Sequence, residues 1–155
     1  MYFVDRTQLE NLLSYMEATL TQLEELKEQK SAIEQLALER IGHMTIETII
    51  DVGNHMIDGF IMRDPGSYDD IIDILEDEKV ISSSDERSLK EIILWRKPLI
   101  QDYTAVDHKK LYNDLAANVK VLLQFPQKVR TYLDEQLGPV SAFLPAEENR
   151  SNDKQ

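Results

Sequence analysis

The chain has 155 residues, no cysteine, 17 basic against 29 acidic residues and a formal net charge of −12 at pH 7. That length suits one domain able to bury a core without staples. The missing cysteines exclude disulfides and thiolate metal sites, and the acidity argues against a broad phosphate-binding surface, which needs a basic face.

Met1 to Arg6 lacks the basic flank and long apolar run of a signal peptide. No stretch approaches the ~18–20 apolar residues of a membrane span. A cytoplasmic chain with no membrane or DNA partner is expected. An RNA ligand would have to meet a local basic patch, and a basic protein partner or simple solubility explains the acidity equally well. Glycine is scarce, at five residues, and β-branched residues fall at helical spacing, which predicts an all-α fold.

The first helix starts at Asp5, an N-cap with Gln8 three residues on and Val4 placed to staple onto Leu9. Its apolar stripe is Leu9, Leu12, Leu13, Met16, Leu20, Leu23 and Leu26, a nearly heptad-like seam suited to a bundle or a dimer. A second helix runs from about Ser31 to Ile61. Its later half (Ile46, Ile49, Ile50, Val52, Met56, Ile57, Phe60, Ile61) is apolar on most sides, as in a buried helix. Asp64-Pro65-Gly66-Ser67 forms a turn, and Ser67 caps a short helix carrying Tyr68, Ile71, Ile72 and Leu75.

Ser83 and Glu86 have capping-box spacing and open a fourth helix with Leu89, Ile92 and Ile93 on its core face. Asp107 caps a last helix through Leu111, Leu115, Val119, Leu122 and Leu123. Pro126 should kink or break it, with helix resuming through Val129, Tyr132, Leu133 and Leu137. Gly138-Pro139 stops it. The domain is therefore drawn over residues 1–138, and residues 139–155 are expected to be a polar, disordered tail.

Helical geometry puts Arg96 on the apolar side of Ile92 and Ile93. A buried arginine needs a partner, and a carboxylate on the second helix would serve. The run Trp95-Arg96-Lys97-Pro98-Leu99-Ile100-Gln101-Asp102-Tyr103 also resembles the signature of HepT-type proteins, members of the HEPN superfamily of small all-helical ribonucleases. That signature is an arginine, four residues, a histidine, one residue and a tyrosine. Asp51-Val52-Gly53-Asn54-His55 is similar to the family's second helix, and Pro65 with Ser67-Tyr68, Leu75 and Val80-Ile81-Ser82 is similar to its connector and short helix. Val106-Asp107 and Leu111-Tyr112 are similar to the opening of its last helix, so the resemblance spans residues 5 to 125.

The resemblance implies an up-and-down bundle of about five helices, homodimeric, needing neither cofactor nor metal. It implies RNA cleavage through the RNA's own 2′-hydroxyl, with a histidine carrying the proton and Arg96 stabilising the phosphorane charge. Here Gln101 stands at the histidine position, and its amide does not titrate. Lys97 replaces the usual asparagine, and Pro98 falls inside the motif. Residues five apart on a straight helix diverge by about 140°, so Pro98 is expected to supply a bend, unless two subunits pool their motifs.

Three departures in one motif point to ribonuclease activity that is weakened or lost. His108, beside Asp107, and the widely spaced His43 and His55 are weak substitutes as proton carrier or metal ligands. Tyr103 holds the place of the tyrosine that a nucleotidyltransferase antitoxin adenylylates in the family, and it also reads as a packing aromatic. The readings that remain open are a HepT-like toxin, a non-enzymatic dimeric interaction module, and an active nuclease with a different proton carrier, for which His108 is the residue to test.

Overall fold

Six α-helices and two 3-10 turns make up the regular structure of residues 2–138, the residues this computed structural model describes, with no strand among them. The helices are α1 (Arg6–Leu20), α2 (Ala32–Gly59), α3 (Tyr68–Asp77), α4 (Ser83–Ile93), α5 (Arg96–Ile100) and α6 (His108–Leu137). The tail expected over residues 139–155 lies outside the described residues.

Cross-helix contacts fix the topology. Val4, just before α1, packs on Gly59, at the end of α2, so these helices run antiparallel. Asp85 of α4 bonds Lys128 of α6, and Trp95, just past α4, bonds Asp114 of α6, an antiparallel pair again. Arg6 meets Asp134, closing the first helix against the last. The result is the expected up-and-down bundle, with α3 as a cross-piece between α2 and α4. One continuous core runs through it, including Leu13, Met16, Ile46, Ile49, Met56, Leu89, Leu115 and Phe125. No helix among the described residues is long and apolar enough to cross a membrane.

Caps form where short polar side chains precede apolar runs. Asp5, Ser31, Ser67 and Asp107 each accept from the backbone N–H three residues on. Of the residues expected on apolar faces, Ile61, Tyr68 and Leu123 lie at the surface instead.

Four other expectations need correction. The first helix ends at Leu20, and Leu23–Leu26 form a 3-10 turn; its three-residue period keeps Leu23 and Leu26 on one face, so the stripe stays buried after the helix stops. The fourth helix is capped by Ser82, not Ser83, in a reciprocal box with Asp85. That register is selected because Asp85 is buried and also takes the ammonium of Lys128. The same helix breaks at Leu94–Trp95, ahead of Arg96, because Pro98 lacks an N–H and its ring would strike the Leu94 carbonyl one turn back. Finally, Pro126 does not break α6. It sits buried between Phe125 and Val129 in an unbroken helix, where core packing outweighs one lost hydrogen bond.

Candidate functional site

α5 is five residues long, too short to hold itself, so its neighbours place it. Trp95 is buried at its N-terminal end and donates Nε1–H to Oδ2 of Asp114 at 2.9 Å. Lys110 bonds the same oxygen at 2.9 Å and lies 5.1 Å from the centre of the Trp95 ring. Burial pushes the Asp114 carboxyl up, but the Lys110 and Trp95 hydrogen bonds outweigh it and hold the group below its ordinary value. On the other flank, buried Leu99 faces Gly42 of α2. A Cβ at 42 would stand 3.2 Å from Leu111 and 3.4 Å from Leu99, so glycine is what lets α5 and α6 lie close to α2.

Arg96 then points across the junction of three helices. Its Nε donates to Oε1 of Glu47 on α2 at 2.8 Å, and its guanidinium carbon lies 4.4 Å over the ring of Tyr68. The ion pair with a second-helix carboxylate is thus present. The side chain keeps 31% of its surface exposed, and its two terminal nitrogens have no hydrogen-bond partner among the described residues. A guanidinium held by Nε and by its face presents its remaining fork to a phosphate.

Tyr68 is positioned by the turn before α3. Asp70 accepts both terminal nitrogens of Arg63 at 2.7 Å and the Gly66 N–H at 2.8 Å, and its own N–H bonds the Ser67 cap. The Arg63 fork, aided by Gly66, draws the Asp70 carboxyl down to about 2.

Ser67, Tyr68, Asp69, Arg96, Lys97 and Gln101 line one cleft of about 380 Å³, floored by Ile93 and Ile100. Arg96 and Gln101 therefore share a site within one chain. The bend that turns them falls before Arg96 and not between the two. Arg96 and Lys97 supply the local basic character, and Asp69 opposes it.

Tyr103 does not line the cleft. It is 65% exposed, in the 3-10 turn Tyr103–Ala105. His108 is held by Glu39 at 2.9 Å, and Asp102 faces solvent. His43, set aside above as a weak substitute, lies nearer the site than its spacing from His55 suggested. Its Nε2 lies 3.6 Å from Oε1 of Glu47, the oxygen that also receives Arg96. The available signal was the four-residue spacing of Glu39, His43, Glu47 and Asp51 along one face of α2. Asp51, one turn beyond, is pushed up by burial and then by the Glu47 charge.

Among the described residues, one trio (Asp73, Glu76, Glu86) has the spacing to hold a cation, but Lys90 already bonds Asp73 at 2.5 Å and Glu86 at 2.7 Å.

A family model described as ribonuclease HepT-like matches residues 7–129. A Bacillus subtilis (strain 168) protein named "Putative RNase YutE" is 51% identical over 143 residues, covering 92% of this chain and 99% of its own length. A solved structure of YutE from Bacillus subtilis, described as a cytosolic protein of unknown function, superimposes with a TM-score of 0.87 at 50% identity. It covers 90% of this chain and 97% of that one. A chain from the structure of a tri-AMPylated Shewanella oneidensis HEPN toxin with its MNT antitoxin shares the fold, with a TM-score of 0.71. It is 15% identical and covers 79% of this chain and 96% of its own.

Proposed function

The chain belongs to the HepT-like ribonuclease family, and from that premise we propose that the Arg96–Gln101 cleft binds RNA and cleaves it slowly, as a weakened HepT-type toxin. The observation that carries this reading is Arg96. It is anchored by Glu47 and Tyr68, and its unused fork faces the cleft that Gln101 also lines.

In that role the fork holds a non-bridging phosphate oxygen and gains strength as charge builds on phosphorus. The Gln101 amide hydrogen-bonds the phosphate and moves no proton. The motif itself supplies no proton carrier at position 101, so the rate is lower than with a histidine there. Two copies form a homodimer in the cytoplasm, and a nucleotidyltransferase-type antitoxin adenylylates Tyr103, whose exposure in a turn just past Gln101 suits modification.

The test is cleavage of a mixed-sequence oligoribonucleotide. Arg96→Ala should lower the rate by ~10²–10³-fold, and Gln101→His should raise it by up to ~10²-fold. A wild-type rate that Arg96→Ala leaves unchanged would sink the assignment. In the same preparation, a nucleotidyltransferase antitoxin with ATP should add AMP to the wild type and none to Tyr103→Phe. If the wild type and Gln101→His are both silent, the non-enzymatic dimeric interaction module stands in its place; the opposing charge of Asp69 at the cleft rim favours that second reading.

A further inference from the structure

We propose that His43 is the proton carrier of this site, working beside Arg96 from the neighbouring helix. The inference rests on the ribonuclease reading above and adds to it a catalytic residue outside the Trp95–Tyr103 motif.

The geometry centres on one oxygen. Oε1 of Glu47 accepts Nε of Arg96 at 2.8 Å and lies 3.6 Å from Nε2 of His43. An imidazole and a guanidinium that converge on one carboxylate oxygen lie within the span of a single nucleotide. Both remain reachable, with 33% of the His43 side chain and 31% of the Arg96 side chain exposed. His43 is not among the residues that line the cleft; it stands beside the anchored Nε side of Arg96, so in this proposal it serves a ribose that extends over that edge from a phosphate held on the open fork.

The other histidines do not compete. His108 is bonded to Glu39, and His55 lies three helical turns beyond His43. The charged groups beside His43 are Glu47, on its own helix at 3.6 Å, and Arg96 of α5 on the same carboxylate oxygen; Glu39, one turn earlier on α2, is bonded to His108 of α6. The Glu47 carboxylate is the one that lies beside the ring.

The step balances without any further reagent. Neutral His43 takes the 2′-hydroxyl proton as O2′ bonds to phosphorus. The P–O5′ bond breaks, and the same proton passes from the imidazolium to the departing 5′-oxygen. The products are a 2′,3′-cyclic phosphate and a 5′-hydroxyl, with Arg96 holding the extra charge in between. Gln101 needs to move no proton in this scheme.

The experiment measures cleavage of a mixed-sequence oligoribonucleotide by the full chain against pH, with RNA affinity read separately. His43→Ala and His43→Gln should each lose ~10²–10⁴-fold in rate and bind RNA as the wild type does. Added imidazole should restore His43→Ala, and the pH profile of the rate should differ from that of the wild type in both variants. Gln101→His placed in the His43→Ala background should recover activity by supplying an imidazole from within the cleft. Circular dichroism melts check that each variant is folded, and the glutamine variant keeps the comparison alive if alanine unfolds the helix. Wild-type rates in a folded His43 variant, alongside a loss in Arg96→Ala, overturn this proposal and leave the ribonuclease reading standing. No cleavage by the wild type or by Gln101→His overturns both.

Discussion

Ile61 is a β-branched residue in a left-handed conformation, with φ of 55°. Its N–H bonds the Asp58 carbonyl at 3.4 Å and the next N–H, of Met62, bonds Ile57 at 2.9 Å, the paired closure that usually places glycine here. At 69% exposed, its side chain repays little of the strain by burial. Ile61→Gly should therefore stabilise the fold by about 1 kcal/mol, the left-handed penalty outweighing glycine's greater unfolded-state entropy. The melting temperature should rise by roughly 3 °C. An unchanged or lower value would mean that the exposed side chain contributes more than its surface suggests. The sequence showed Ile61 only as the last of an apolar run, because a φ angle leaves no periodic trace.

At the scale of an element, legibility tracks how local the deciding interaction is. Asp5, Ser31, Ser67 and Asp107 cap their helices through bonds three residues long, and they are readable from a few letters. Ser82, Ser83 and Ser84 offer competing registers, with Asp85 three residues after Ser82 and Glu86 three after Ser83. The choice is made by Lys128, 43 residues away. Burial pushes the Asp85 carboxyl up, and the bonds from Lys128 and Ser82 outweigh it and hold the group down. Ser82→Ala should cost about 1 kcal/mol and Ser83→Ala less than about 0.5 kcal/mol, measured by urea unfolding. Equal costs would return the cap to the expected serine. The site follows the same rule. A carboxylate for Arg96 could be foreseen on the second helix, but Glu47 is 49 residues distant and only packing selects it. His43 was legible as a neighbour of Glu47 but not of Arg96, because nothing local says that α5 lies across that turn.

For the whole molecule, the question is what closes the two ends of an acidic bundle. Arg130 of α6 bonds both Glu10 and Glu17 of α1, with Nη2 at 2.7 Å from the first and 2.6 Å from the second. Nε and Nη1 complete the two forks at 3.0 and 3.1 Å. A single planar cation thus joins segments more than 110 residues apart, which a point-charge ammonium cannot do at both carboxylates. Arg130→Met keeps the stem's packing and removes the forks. The cost should be ~1–2 kcal/mol at neutral pH, held to that range because Glu10 is 52% exposed and screened by water. The Arg130 hydrogen bond, against burial that pushes it up, holds the Glu10 carboxyl below its ordinary 4.5. A carboxyl depressed in the folded state adds stability above its unfolded value and loses it as the pH falls through the folded one. The wild type should therefore lose this increment below about pH 4.5, while Arg130→Met has none to lose. Urea unfolding across that range should show the gap between the two proteins narrowing with acid. A gap that stays constant would mean the arginine stabilises by packing its stem, and that charge does not close the bundle.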